Sequence, residues 1–251
     1  MTPIQILGLD HIPIVQKGDN IGGLIWEAVQ KRGLTINDGD VVVVSHIIVS
    51  RAEGRTVDLK TITPSVLSKR IARSLGKDPR LVEVILREAK SIVRTGDGHL
   101  IVETEHGFIC ANAGVDQSNV PGTDMVALLP KDPDASARRI RIDLKRMAGK
   151  DVAVLISDTH GRPFREGDIN VAIGVSGLKP IYDRRGEKDL FGRELRVKMV
   201  AIADELTSAA ELVMGQADES VPVAIIKGCR IERGEGSWKE LLRTKEKDLF
   251  L

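Results

Sequence analysis

The chain has 251 residues, of which 42% are apolar, so it can bury a sizeable core and is not expected to be disordered. Its 37 basic and 36 acidic residues give a formal net charge of +1, which provides no overall field for nucleic acid or membrane and favours small-molecule ligands. Because it lacks a signal sequence, a run near the roughly 20 apolar residues that span a bilayer, and any paired cysteine spacing, we expect a cytoplasmic protein with reduced Cys110 and Cys229.

Alternating apolar patterns predict strands and helices through the first half of the chain. The nearly continuous β-branched run at 40–50 is typical of a strand buried on both faces, although Ser45 and His46 interrupt it. The other predicted elements are a strand at 4–9, a helix capped by Asp19 or Asn20 and ending before Gly33, a helix at 64–75, and a helix from Asp78 to about Gly96.

In the second half, a short apolar strand at 151–156 stops where a polar stretch begins at Ser157. Glycine and proline recur among charged residues from 162 to 192, which predicts a long irregular excursion. The other predicted elements are a hairpin at 100–103 and 107–111, a strand at 125–129, a basic helix at 132–147, an amphipathic helix at 195–213, a strand at 221–227 and a surface helix at 237–251. With no clean linker, we expect one unit over 1–251, with two interleaved lobes more plausible than two separate domains.

Side chains that carry oxygen donors follow several of these elements, at points where the backbone is fixed. They are Asp116, Asp158, Thr159 and Gln216. If Asp116 and Asp158 converge, their carboxylates make a divalent-metal site, and oxygen ligands favour Mg²⁺ or Mn²⁺ over zinc. Plainer interpretations stay open, because aspartates also make Asx turns and cap helices, and threonine and glutamine also make local hydrogen bonds.

Familiar nucleotide-binding and catalytic motifs are missing from the sequence. Gly76-Lys77-Asp78 lacks both the first glycine and the hydroxyl of a Walker loop, and the glycines after the first strand do not have dinucleotide-binding spacing. There is no HExxH helix and no nucleophile elbow. A nucleotide would therefore be held without a P-loop and without a Rossmann fingerprint.

Four segments carry a more specific signal. They are V-S-R-A-E-G-R at 49–55, E-T-E-H-G-F-I-C-A-N-A-G-V-D-Q-S-N at 103–119, S-D-T-H-G-R-P-F-R-E-G at 157–167 and D-E-L-T-S-A-A-E-L-V-M-G-Q at 204–216. Through them, the chain resembles the coenzyme F420-0 gamma-glutamyl ligase family. The resemblance implies a mixed α/β (α+β) fold with mixed sheets flanked by helices, in an intertwined homodimer.

The resemblance also implies an activity, which is a GTP-dependent ligase that adds L-glutamate to F420-0 through an acyl phosphate and then adds a gamma-linked glutamate. It implies two divalent cations, Mn²⁺ or Mg²⁺, and stimulation by K⁺. The implied metal ligands are Asp116, Asp158, Thr159 and Gln216. The implied nucleotide contacts are Ile12, Pro13, Ile14, Val15, Ser45, His46, Ser50, Arg51 and Asn119. Relatives often have lysine at the Arg51 position, but arginine keeps the charge and adds a planar fork suited to phosphate.

Three further residues are candidates for catalysis. His46 and His160 are candidates to position phosphate or to take a proton from the amine, and Arg162 is a candidate to grip phosphate or carboxylate groups. Plainer interpretations are hydrogen-bonded histidines near a strand end and a solvated arginine. Two other functions remain open, a metal-dependent phosphohydrolase that transfers phosphate to water and a non-catalytic nucleotide sensor.

Overall fold

A computed structural model of the protein describes residues 3–248. Within that range there are six α-helices and twelve strands, and the strands form one five-stranded sheet and three small sheets. This architecture confirms the expected mixed α/β class. The helices are α1 (Ile21–Lys31), α2 (His46–Ala52), α3 (Val66–Leu75), α4 (Pro79–Glu88), α5 (Pro133–Ala148) and α6 (Ile202–Met214). The strands are β1 (Gln5–Leu9), β2 (Val41–Ser45), β3 (Thr56–Asp58), β4 (Ala89–Gly96), β5 (His99–Thr104), β6 (Ile109–Ala111), β7 (Met125–Ala127), β8 (Ala153–Arg162), β9 (Arg165–Ser176), β10 (Tyr182–Asp183), β11 (Met199–Val200) and β12 (Val223–Lys227).

The five-stranded sheet has the order β1-β12-β2-β8-β9 and holds the larger of two apolar clusters. Its centre is a parallel pair, β2 and β8, and every other neighbouring pair is antiparallel. Residues 41–44 are four consecutive valines with no exposed surface, since β-branched side chains suit a strand that is buried on both faces. α5 packs on β8 and β9, and α6 packs on β9, β1 and β12.

The smaller apolar cluster lies around α3, α4 and the β4-β5-β6 sheet. Val82, Ile85, Leu100 and Val102 are completely buried there. The predicted hairpin is confirmed as β5 and β6. Whether the two clusters correspond to interleaved lobes stays a prediction.

Helix ends follow the capping signals in the sequence. The Asn20 side chain accepts a hydrogen bond from the Gly23 N–H at 2.8 Å at the start of α1, and the Asp132 side chain accepts from the Ala135 N–H at 3.0 Å at the start of α5. Gly76 and Gly149 end α3 and α5 in the left-handed conformation, which glycine adopts without steric cost. Within residues 3–248, no helix combines the length and the apolar composition that crossing a membrane requires.

The predicted single strand at 40–50 is wrong, because β2 ends at Ser45 and α2 begins at His46. Residues 46–50 are all buried, so this part of the helix exposes no polar face to solvent. A continuous apolar run does not separate a buried strand from a buried helix, since neither shows a polar period. The consequence is that a helix N-terminus, rather than more strand, follows the carboxyl end of β2.

Two predicted helices were too long. α4 ends at Glu88 and the chain continues as β4, where Ile92, Val93 and Thr95 supply the β-branched residues that suit a strand. α6 begins at Ile202 instead of 195, because the preceding segment pairs with its own upstream half, with the Leu195 N–H donating to the Glu187 carbonyl at 2.8 Å.

The predicted break after residue 156 and the irregular excursion from 162 are also corrected. β8 continues to Arg162, turns, and returns as β9, which pairs with it in antiparallel fashion. The hairpin's outer half is polar because β9 is an edge strand there and faces solvent. Residues 177–200 do remain largely irregular, with only the short β10-β11 pair. The predicted tail helix is reduced to 3₁₀ turns at Trp238–Leu241 and Lys245–Lys247, with Trp238 buried, and residues 249–251 lie outside the described range.

Candidate active site

A cavity of about 520 Å³ lies at the carboxyl end of β2, beside residues 157–159 in the interior of β8. β2 and β8 are parallel neighbours in which Ser45 lies opposite Ser157. The residues that follow these two serines therefore meet at one edge of the sheet. The loops at 12–15, 118–121 and 215–222 complete the wall. The sequence-predicted residues in the wall are Ile12, Pro13, Ile14, Val15, Ser45, His46, Arg51, Asp116, Asn119, Asp158, Thr159 and Gln216.

Asp158 is a buried carboxylate whose two oxygens are held from three directions. Oδ1 accepts hydrogen bonds from His46 Nε2 at 3.1 Å and from the Thr159 N–H at 2.8 Å, and Oδ2 accepts from His160 Nε2 at 3.0 Å. Burial by itself would raise the pKa of Asp158, but the charges and hydrogen bonds of His46 and His160 hold its pKa well below the ordinary value. Asp158 is therefore an oriented anion, and it caps no helix because it lies within β8.

His46, the first residue of α2, is buried beside Asp158. Its Nε2 faces Asp158, whereas its Nδ1 is buried and has no hydrogen-bond partner among residues 3–248. Burial lowers the pKa of His46, but the charge and hydrogen bond of Asp158, together with the charge of Asp116, raise its pKa overall. Two carboxylates that lie far apart in the sequence thus act on one imidazole.

Asp116 makes the Asx turn of the plainer interpretation and also lines the cavity. Its Oδ1 accepts from the Ser118 N–H at 2.7 Å, and its Oδ2 accepts from the Ser118 hydroxyl at 2.8 Å. Its backbone pairs with Ala127, which fixes the loop against β7. The turn therefore holds the Asp116 carboxylate at the cavity wall.

Thr159 and Gln216 contact each other through their side chains, and Asn170 contacts both. Thr159 Oγ1 lies 3.0 Å from Gln216 Oε1 and 2.9 Å from Asn170 Oδ1. The Gln216 Nε2 donates to Asn170 Oδ1 at 3.0 Å and to Glu211 Oε1 at 3.1 Å. A threonine hydroxyl has a single proton, so it can donate to only one of its two oxygen neighbours.

These donors fit a hard divalent cation. Carboxylate, hydroxyl and amide oxygens are the groups that Mg²⁺ and Mn²⁺ prefer, and the 3.0 Å contact between the Thr159 and Gln216 oxygens has at most one proton between them. In the described part of the chain, no group of three or more His, Cys, Asp or Glu side chains is arranged to hold a metal ion. Neutral oxygens would therefore have to complete a ligand set built on Asp116 and Asp158.

Arg51 brings a positive charge to the wall without a carboxylate partner among residues 3–248. Its Nη2 is buried with no hydrogen-bond partner in that range, and its Nη1 lies 3.5 Å from the Asn119 carbonyl oxygen. Burial lowers the pKa of Arg51, although a guanidinium remains protonated in proteins. An unpaired, partly buried guanidinium is suited to a phosphate group.

Three predicted residues are not part of the wall. Ser50 is fully buried in α2, and its hydroxyl has no hydrogen-bond partner among the described residues. His160 contacts the site through Asp158 and packs edge-on against Phe108, with ring centroids 6.5 Å apart. Arg162 donates to the carbonyl oxygens of Glu166 and Gly167 in its own hairpin.

The sequence did not point to Asn170, Ser118 or the loop around Glu219, all of which line the cavity. Asn170 was missed because its segment was predicted to be irregular, although a buried asparagine within I-N-V-A-I is a polar interruption that deserves notice. Gly215 has φ 71° and ψ −178°, a backbone conformation that essentially only glycine adopts, so this turn requires glycine.

The fold and cavity define a mixed α/β protein with an oxygen-rich pocket beside a parallel strand pair and without a P-loop motif. The family model for F420-0:gamma-glutamyl ligase matches residues 10–228, and the chain belongs to this family. It is 50% identical over 249 residues to the coenzyme F420:L-glutamate ligase of Methanothermobacter thermautotrophicus, covering 98% of both chains. The proteins of the same name from Methanopyrus kandleri (48% identical, 100% of both chains) and Methanocaldococcus jannaschii (47% identical, 98% of this chain and 96% of the relative) are similarly related.

Proposed function

We propose that this protein is a GTP-dependent ligase that adds L-glutamate to F420-0 and then adds a gamma-linked glutamate. Family membership supports the ligase class and its substrates. The observation that carries the proposal is that Asp116, Asp158 and His46 line the same cavity as the unpaired Arg51. This arrangement suits a triphosphate and the cations that accompany it.

The reaction requires activation because a carboxylate carbon is a poor electrophile. In the proposed first step, an oxygen of the acceptor carboxylate attacks the γ-phosphorus of GTP, the bond to the β-phosphate oxygen breaks and GDP leaves. In the second step, the glutamate amine attacks the acyl carbon, inorganic phosphate leaves and the amine loses a proton. The overall products are the amide, GDP and phosphate.

The residues of the chain have separate tasks in this scheme. Arg51 holds phosphate oxygens, and the apolar segment 12–15 lines the place of the base and sugar. His46 donates Nε2–H to Asp158 and holds Oδ1 of that carboxylate in place. His160 holds the second oxygen of Asp158 in place.

Two divalent cations, Mn²⁺ or Mg²⁺, held by Asp116, Asp158, Thr159 and Gln216 would neutralise the phosphate charge during transfer. Stimulation by K⁺ belongs to the same proposal, and we assign no residue to that ion. Arg162 does not enter the scheme within one chain, because its guanidinium is used in its own hairpin.

We also propose a homodimer. Segment 177–200 exposes Leu190, Phe191 and Val197, each with more than 85% of its surface accessible in the single chain. Apolar side chains grouped on one segment are typical of an interaction surface. Measuring the mass in solution by light scattering tests this part independently of activity.

Incubation of the protein with GTP, Mn²⁺, L-glutamate and F420-0, followed by mass spectrometry, tests the proposed activity. We expect a product extended by glutamyl residues, and no extension with Asp116→Ala or Asp158→Ala. GTP hydrolysis that needs neither F420-0 nor glutamate would instead indicate a phosphohydrolase. GTP binding without any turnover would indicate a nucleotide sensor.

A further inference from the structure

Asn170 is a buried polar residue with 5% of its surface exposed, and it lies opposite Thr159 in the β8-β9 pairing. Its side-chain Oδ1 is within hydrogen-bond distance of Thr159 Oγ1 and Gln216 Nε2, at 2.9 and 3.0 Å. Its backbone carbonyl accepts from the hydroxyls of Thr207 and Ser208 in α6. One residue therefore connects β8, α6 and the loop that begins at Gly215.

The orientation of the Gln216 amide is fixed by its two acceptors. Both of its N–H groups are used, one toward Asn170 Oδ1 and one toward Glu211 Oε1. The amide oxygen consequently faces Thr159, 3.0 Å from the hydroxyl oxygen. Two oxygen atoms at this distance repel each other unless a proton or a cation lies between them.

The direction in which the Thr159 hydroxyl donates its proton determines whether a proton or a cation can lie between the two oxygens. If the hydroxyl donates to Gln216, its proton lies between the two oxygens and blocks a shared cation. If it donates to Asn170 Oδ1, both oxygens present lone pairs to the same point. The two lone pairs of Asn170 Oδ1 are then occupied by Thr159 and Gln216.

We infer that Asn170 is a positioning residue that draws the Thr159 proton away from Gln216, so that the hydroxyl and amide oxygens can bind one divalent cation together. The inference rests on the proposed metal dependence of the ligase. Asn170 would not itself be a ligand of that cation, because its Oδ1 has no lone pair left. It acts on cation affinity through Thr159 and Gln216, as residues that orient metal ligands commonly do.

The test is a Mn²⁺ titration of the purified full-length protein, without nucleotide, followed by electron paramagnetic resonance of the free ion. Asn170→Ala removes the acceptor, and we expect Mn²⁺ to bind about 10- to 100-fold more weakly. Asn170→Asp retains an acceptor for both neighbours, and we expect affinity at least equal to that of the unchanged protein. Ser208→Ala, which removes only a bond to the Asn170 backbone, is the matched control and should shift the affinity by about twofold or less.

The pattern across variants separates positioning from packing. Weak binding by the alanine variant with strong binding by the aspartate variant supports the inference, provided that both unfold cooperatively on heating. Equal affinity in all variants, or equal losses with alanine and aspartate, would overturn it while leaving the proposed function intact. If the unchanged protein bound no Mn²⁺, both the metal dependence and this inference would fail.

Discussion

His46 Nε2 lies 3.1 Å from Asp158 Oδ1, and both side chains are more than 90% buried. This contact joins the first residue of α2 to the interior of β8, across the parallel pair at the centre of the sheet. A buried carboxylate is stable only when it is paired and hydrogen-bonded. The same bond that orients the site therefore also stabilises the fold.

Replacement of His46 by alanine should lower the free energy of unfolding by roughly 3 kcal/mol or more, because it removes one partner of a buried ion pair and leaves a cavity. Urea denaturation at pH 7 measures the change. His11→Ala is the control, since His11 is exposed and its ion pair with Asp10 lies at the surface. Equal stabilities for the two variants would show that the buried contact contributes little.

Replacement of Arg51 by methionine should weaken GTP binding by about 10- to 100-fold, because a hydrogen bond to a charged group contributes about 1.5–3 kcal/mol. Isothermal titration with GTP and Mg²⁺ measures the affinity, and Arg51→Lys should recover part of it. Arg94→Met, on the exposed face of β4, is the control for loss of a positive charge. If Arg51→Met bound GTP as tightly as the unchanged protein, Arg51 would not be a nucleotide contact.

The carboxylate of Glu83 should stabilise the folded protein at neutral pH and lose this effect in acid. Hydrogen bonds from the Ser65 backbone N–H and from its side chain lower the pKa of Glu83 to about 2. Because the folded-state pKa lies below the unfolded value of about 4.3, the stabilisation is complete above pH 4.3 and is lost as the pH falls toward 2.

Thermal unfolding of Glu83→Gln across this range provides the measurement. At pH 7 we expect a loss of about 1 kcal/mol, and the difference from the unchanged protein should shrink as the pH falls. Glu105→Gln is a matched control on an exposed loop of the same region. A difference that stays constant between pH 7 and pH 2.5 would argue against the lowered pKa.

Cys110 should be unreactive in the folded protein. Burial, with a smaller contribution from the charge of Asp158, raises the pKa of its thiol to about 12, and the thiolate is the reactive form. At pH 8 we expect slow modification of Cys110 by a maleimide in native buffer and rapid modification of both cysteines in guanidinium chloride. Peptide mass mapping distinguishes Cys110 from the half-buried Cys229. Fast native labelling at Cys110 would contradict the buried position.

The sequence predicted most local elements but not how they connect. Asn20, Asp132, Gly76 and Gly149 mark helix ends because capping depends on a few neighbouring residues. The start of α2 at His46 could not be predicted, since burial removes the polar face by which a helix is recognised. The pairing of β2 with β12 and β8, which are distant in the sequence, determines where the strand ends and α2 begins.

The sequence predicted those candidate site residues that lie in a recognisable motif. It missed the residues whose place in the site depends only on the fold. Asp116 and Asp158 were expected to converge, and both line the cavity. Asn170 was not expected, because its place depends on the register of β9 against β8. The contact of Asp158 with His46 was likewise beyond sequence reasoning, since it joins β8 to α2. His160 lies two residues from Asp158 in the same strand, where alternation places both side chains on one face.

The transfer of oxygen from the acceptor to the released phosphate tests the proposed ligase chemistry most directly. F420-0 labelled with ¹⁸O in its carboxylate is incubated with the protein, GTP, Mn²⁺ and L-glutamate, and the inorganic phosphate is examined by mass spectrometry. Attack of the carboxylate on the γ-phosphorus predicts one ¹⁸O atom in the phosphate released by the first glutamate addition. The second addition activates the unlabelled γ-carboxylate of the added glutamate and therefore releases phosphate without ¹⁸O. A complete absence of ¹⁸O from the phosphate, while the product with one glutamyl residue accumulates, would contradict an acyl-phosphate intermediate.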